Sequence, residues 1–480
     1  MRKGNSNRRF LSFSIIWLIA AFFVCGIIKQ APPVVGHTVV TILLISSYVL
    51  CLYYWLKAGN RVLSLYTFFI LYAFFSNAGQ SLLYLAQFPD EFLNVYDDGT
   101  LTQIVDMLRF QYLCIAAMGV GTAIYLSSSR FVPIRLEAQR NDLLCQGKFK
   151  GRNDSLLWFG LLFCLVYVLF FAVKMVSLRQ TMGYGDLYEA RGEWNSVFHQ
   201  VVNLLALLLS YYFLFRNKNT VIIYVFLVLI LLSYMISGSR GLAIPYLGML
   251  IVVFPITNPE LFKRRYAVFW IIGGIVFFSL LSVISSNRAA YLTGQALNTT
   301  NTIAMNAYAT ISEMGMSART VTLTMQAIDN GGMEHHQTIL YVLTTSLVPL
   351  TNNIPALQDQ YIQLSSWVSE FAGSYNSGLG YSFIAEAYMN YGWFGWIYIL
   401  IYGWFIAFAE SLAYRRISNG KYYLALMLLV ILSKQLFYAR AQIELIGGTL
   451  RLLEYLTIIY LIFFNSNYER KTHRKKNYNY

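Results

Sequence analysis

Charge is what this chain has least of. Only 12% of its 480 residues are charged and 57% are hydrophobic, whereas soluble domains carry roughly 25% charged residues. The mean hydropathy is +0.51, and no segment is both long enough and mixed enough to build a soluble core of its own. Cysteine is also scarce. Cys25, Cys51, Cys114 and Cys164 fall in apolar runs and Cys145 in a basic loop, a spacing that offers neither a disulfide framework nor a metal site. No small-residue cleavage site follows the basic start, so the first apolar run reads as an uncleaved helix. The two halves show no similarity to each other, which weakens a transporter built on internal repeats.

What is present is a series of apolar runs, each long enough to cross a bilayer as a helix. They predict an all-α polytopic membrane protein, one integral membrane domain over 1–480, with about twelve transmembrane helices. The expected spans are about 10–28, 34–56, 62–86, 104–127, 155–176, 197–215, 220–237, 242–257, 266–286, 381–410, 422–438 and 445–464. The net charge of +14 does not point to nucleic acid, because the cations cluster in short loops and at the termini, as membrane orientation requires. Lys57 and Arg61, the loop 128–153, Arg216 and Lys218, Lys263 to Arg265, Arg415 and Arg416, and the tail 469–476 are the basic segments. Twelve spans with both termini in the cytoplasm place all of them inside. The large segment 287–380 then lies outside as an extracytoplasmic loop. Such length is unusual for a connection, and helical-looking pieces at 339–350 and 363–372 predict short interfacial helices that cap a cavity.

Cations on the outer side are unexplained by orientation and therefore informative. The segment 287–380 holds two, Arg288 and Arg319, and no lysine. Arg240 stands at a predicted helix mouth inside Gly238-Ser239-Arg240-Gly241, where glycine permits close approach and guanidinium offers a fork to phosphate. A snorkelling cation is the alternative reading. Arg440 lies near the outer end of the eleventh span. Glu313 and Arg319 pair an acid with a base, suited to deprotonating a hydroxyl and stabilising a phosphate leaving group, or else decorate a solvated helix. Glu386 and Asn390, four apart, share one helix face just inside a span. A carboxylate there is costly and must be paired or protonated, so Glu386 is a base, a partner for an outer arginine, or a structural acid held by Asn390. Asp106 and Arg109 form a predicted i,i+3 pair at the mouth of the fourth span. Lys434 is either a cavity residue or a counter-ion. The adjacent His335 and His336 point different ways on any regular element and make no metal site without further ligands. Trp367, Tyr375, Tyr381, Tyr388, Tyr391 and Trp393 could line a glycan groove or belong to an interfacial belt.

Gly238-Ser239-Arg240-Gly241, a long outer loop with Glu313-Met314-Gly315, and Ala385-Glu386-Ala387-Tyr388-Met389-Asn390-Tyr391-Gly392 resemble, in that order, the Wzy-type oligosaccharide repeat-unit polymerases. Some members carry an Arg-x10-Gly pattern; here Asn330 stands at that distance from Arg319, with Gly331 just beyond. The resemblance implies a GT-C-like helical fold in a bacterial cytoplasmic membrane with its active site on the extracytoplasmic face. It also implies polymerisation of undecaprenyl-pyrophosphate-linked oligosaccharides into O-antigen, capsule or exopolysaccharide, with no cofactor and no metal. Arg240, Arg288, Arg319 and Arg440, with Gly238, Ser239 and Gly241, would hold pyrophosphate. Glu313 or Glu386 would act as base or position the acceptor, and Asn390, Tyr381 and Tyr388 would position the glycan. The expected partners are the lipid-linked donor and acceptor, membrane lipid, a chain-length regulator and a flippase. Three other functions compete: a ligase-like glycosyltransferase with a different acceptor, a flippase or transporter without enzymatic activity, and a receptor or structural membrane protein, which the outer arginines and acids disfavour.

Overall fold

The computed structural model describes residues 2–89, 93–97, 99–128, 154–181, 197–215, 220–236, 240–257, 303–347, 362–373, 380–418, 422–443, 447 and 449–450. Among them there are helices and no strands. In chain order these are α1 (Arg2–Ile28), α2 (Pro33–Lys57), α3 (Leu65–Leu85), α4 (Leu101–Ser127), α5 (Asp154–Thr181), α6 (Val197–Phe215), α7 (Thr220–Ile236) and α8 (Arg240–Thr257). There follow α9 (Ile303–Gly315), α10 (Ser317–Asp329), α11 (Thr338–Leu347), α12 (Leu364–Phe371), α13 (Phe383–Tyr391), α14 (Gly395–Ser418) and α15 (Tyr422–Gln435). Six stretches are long and apolar enough to cross a membrane: α1 from Arg9, α2, α3, α4, most of α5, and the run Phe383–Arg416. α6 and α7 hold shorter apolar helices. The chain is thus polytopic. The predicted ninth span and most of the twelfth lie outside the described residues.

The helix α4 is the centre of one group. It packs on α1, α2 and α14, and 89% of its most apolar window is buried, as expected of a helix surrounded by protein on every side. Small residues let α14 approach it. A Cβ added at Gly403 would stand 2.6 Å from the Met118 carbonyl oxygen, and one at Gly121 would overlap the carbonyl of Leu400. Such close backbone contact is how helices associate where lipid supplies no hydrophobic drive. A Thr100–Gln103 capping box starts α4. At the opposite end of the bundle, the buried Glu410 of α14 accepts from the amides of Leu65 (3.0 Å) and Tyr66 (2.8 Å). A carboxyl group at the first turn of α3 satisfies two donors that the helix itself leaves open. The other group is α5 to α8 with α15, joined by Tyr211 to Ser433 (2.6 Å) and Tyr246 to Asn203.

Three expectations need correction. The predicted tenth span, 381–410, is not one helix. It ends as α13, passes through a 3-10 turn at Gly392–Phe394, and restarts as α14. Gly392 adopts φ 54°, a conformation that L side chains avoid, and a Cβ at Gly395 would lie 2.5 Å from the Ala387 carbonyl oxygen. Hydropathy runs smoothly through both glycines, so periodicity alone does not register the break. The eleventh span ends earlier than expected, giving way to a second 3-10 turn at Leu436–Arg440. Within 287–380 the short helices α9 to α12 are present, but α10 does not lie on a surface. Nine of its residues are buried, and it packs on α13, α3 and α4. Gln80 of α3 binds this region inward, donating to the Ser312 carbonyl (2.9 Å) and accepting from the Val95 amide (2.7 Å).

A Gly121→Val substitution should force α4 and α14 apart at a cost of about 1–3 kcal/mol, or prevent assembly. Thermal unfolding in detergent should show a clear loss, while Gly26→Ala, which meets nothing within 4 Å, should match the parent.

Candidate functional site

α13 organises the residues that chemistry would use. Its N-cap is Ser382, whose hydroxyl accepts from the Ile384 amide (3.2 Å) and donates to Asn77 Oδ1 (2.6 Å). Asn77 in turn donates to the carbonyls of Ala73 (3.0 Å) and Ala439 (3.5 Å), tying α3 to the 3-10 turn before Arg440. One turn into the helix stands Glu386, only 1% exposed. Its Oε1 accepts from the Thr338 hydroxyl (3.1 Å) and its Oε2 from the Ile443 amide (2.8 Å). Asn390, one turn further on the same face, donates from Nδ2 to the Thr338 hydroxyl (2.9 Å) and to the Glu386 carbonyl (2.8 Å). Its Oδ1 accepts from the Ile339 amide (3.0 Å). The pair clasps the start of α11 on one side and the 440–443 segment on the other. Each carboxylate oxygen has a donor, as burial demands.

The neighbouring tyrosines are part of this packing. Tyr381 is buried, meets Thr324 of α10 through its hydroxyl (2.8 Å), and donates its amide to the Arg440 carbonyl (3.4 Å). Tyr388 donates to Asp329 Oδ1 (2.8 Å). Both rings and Asn390 are buried, whereas Tyr391 and Trp393 nearby are more exposed. His335 places Nδ1 3.0 Å from the Met389 carbonyl, which makes that nitrogen its donor.

The structure brings Arg440 and Tyr381 together with Glu386 through the 440–443 segment. α8, whose first residue is Arg240, packs on the 3-10 turn that ends at Arg440. Glu313 of α9 and Arg319 of α10 are half-buried and flank the junction at Met316. α10 reaches Tyr381, just ahead of α13, through Thr324. Gly238, Ser239, Arg288 and Tyr375, together with the side chain of Arg240, lie outside what the structure describes. The expected Asp106–Arg109 ion pair is present. Sequence reasoning passes over Asn77, Gln80, Thr338 and Asp329. Asn77 and Gln80 carry a usable signal, being polar residues within an otherwise apolar span. Thr338 and Asp329 carry none, since their partners are far away in sequence.

Fold and site together define a multi-span helical membrane protein that carries a buried polar clasp around α13. A family model described as O-antigen polysaccharide polymerase Wzy matches residues 10–471. The chain belongs to that family. Comparison with curated proteins and with solved structures finds no match.

Thr338→Val should remove the hydroxyl that donates to Glu386 and accepts from Asn390, lowering stability by about 1–3 kcal/mol. Thr338→Ser should retain most of the parent's thermal stability in detergent. Equal melting of all three proteins would remove the clasp from the account.

Proposed function

We propose that the chain polymerises undecaprenyl-pyrophosphate-linked repeat units into a surface polysaccharide on the outer face of the bacterial cytoplasmic membrane. The observation that carries this reading is the family match across residues 10–471. The distribution of cations supports the orientation, with the basic loops inside and the segment 287–380 outside.

In this reaction a hydroxyl of the incoming unit attacks the anomeric carbon of the sugar nearest the lipid on the growing chain. A new glycosidic C–O bond forms as the C–O bond to pyrophosphate breaks, and undecaprenyl pyrophosphate leaves with the electron pair. The hydroxyl proton passes to a carboxylate. We assign that role to Glu313, which is half-buried and so open to a substrate, over Glu386, which is only 1% exposed. Glu386 then acts by position, keeping α11 and the 440–443 segment against α13. Arg240 and Arg319, with Arg288 and Arg440, neutralise the departing pyrophosphate, aided by the backbone of Gly238, Ser239 and Gly241. Asn390, Tyr381 and Tyr388 support the glycan site from beneath. The donor is already activated by its pyrophosphate, so neither a nucleotide sugar nor a metal is required in principle. A flippase that delivers units and a chain-length regulator are the partners this role requires.

Arg240→Ala should leave protein level intact and abolish long polymer while single repeat units persist on the surface. Glu313→Gln should do the same, whereas Glu386→Gln should lower stability before it lowers turnover. The measurement is glycan analysis of cells that carry each variant in place of the parent. Unattached polymer in a deletion strain would indicate a ligase, and units trapped in the cytoplasm a flippase. Normal polymer length in Arg240→Ala would remove the phosphate clamp.

A further inference from the structure

Apart from the clasp, four elements meet around a cavity of about 230 Å³ lined by Lys29, Asp106, Arg109, Met325, Asp329 and Trp393. Lys29 follows the end of α1, Asp106 and Arg109 stand near the start of α4, Met325 and Asp329 close α10, and Trp393 belongs to the 3-10 turn after α13. The lining is ordered from behind. Arg109 donates Nε to the Cys25 carbonyl (2.8 Å), pairs with Asp106, and sets its guanidinium 5.5 Å from the centre of the Trp393 ring. Phe110 meets the same indole edge-on at 5.5 Å and Tyr388 at 6.2 Å. Tyr388 also fixes Asp329. Trp393 is nonetheless 39% exposed.

The chemistry of this lining selects among ligands. An apolar tail is disfavoured, because four of the six side chains are charged and covering them with hydrocarbon is costly. A phosphate is disfavoured too, since Asp106 already neutralises Arg109 and Asp329 adds a further negative charge. A sugar ring fits both demands. Its hydroxyls donate to the carboxylates and accept from Lys29 and Arg109, and its C–H face can lie on an indole. The volume is below the roughly 300–1,000 Å³ of pockets for drug-sized ligands, which suits one ring rather than a whole repeat unit. We propose that this cavity is a carbohydrate subsite that grips one sugar ring of the repeat unit, a proposal that rests on the polymerase reading above.

The subsite is tested by calorimetric titration of the purified full-length protein in nanodiscs. Two probes serve, both freed of lipid by mild acid: the single repeat unit and the multi-unit chain. Binding that depends on Trp393 is expected for at least one of them, and which one binds tells whether the subsite holds the incoming unit or the growing chain. Trp393→Ala and Asp329→Asn should each weaken that binding about tenfold, while Trp393→Phe should recover part of it. Asp329 is exposed, so Asp329→Asn tests the subsite even where loss of the indole disturbs folding. No binding of either glycan to the parent would overturn the proposal. So would equal affinity in the parent and both variants, or inorganic pyrophosphate that competes with the glycan and loses affinity in the same variants. Glycan analysis separates the two failures. Long polymer persisting in cells that lack the chain sinks the polymerase reading itself. Polymer lost from those cells but normal with Trp393→Ala sinks only the subsite.

Discussion

A carboxylate buried among helices must be answered by donors, and the answer that Glu386 receives shapes the surrounding site. Its two oxygens draw in elements from distant parts of the chain: the start of α11 through Thr338 and the 440–443 segment through Ile443. Asn390 completes the clasp by engaging the same hydroxyl and the next amide. Removing any one member strands a polar group away from water, which costs more than the bond itself contributes. The clasp thereby makes α13 the fixed point against which the start of α11 and the 440–443 segment are set.

The break after α13 follows from the same arrangement. Were 381–410 one continuous helix, Trp393 would continue the α-helical path of Tyr391. The turn at Gly392 instead carries the indole to the charged cavity between α1, α4 and α10, while α14 departs to pack closely on α4. One short segment therefore serves both places: its helical face holds the clasp, and its turn supplies the aromatic wall of the cavity. Tyr388 connects them, since its ring meets Trp393 and its hydroxyl holds Asp329. A glycan seated on Trp393 and a clasp centred on Glu386 would thus be mechanically joined through a single helix.

Features set by near neighbours along the chain are legible in the amino-acid order. Apolar runs mark where the helices α1 to α8 lie, the i,i+3 spacing marks the Asp106–Arg109 pair, and the i,i+4 spacing puts Glu386 and Asn390 on one face. Features set by distant neighbours are not legible there. Thr338 is 48 residues from Glu386, Asp329 is 59 from Tyr388, and Glu410 caps a helix 345 residues earlier. No periodicity records such pairings. The helix break is hidden for a different reason: glycine is neutral to hydropathy, and only backbone geometry reveals that Gly392 leaves the helical path. The glycan-groove reading of the aromatic residues divides along burial, with Tyr381 and Tyr388 in the packing and Trp393 on a cavity wall.

The most direct test of the central claim is reconstitution of the purified chain in liposomes with its lipid-linked repeat unit and a metal chelator, without nucleotide sugars. The account predicts a ladder of lengthening glycans on lipid, with about one undecaprenyl pyrophosphate released for each unit added, as the balanced transfer step requires. A repeat unit that remains single, or that moves only to an acceptor other than another lipid-linked unit, would contradict it.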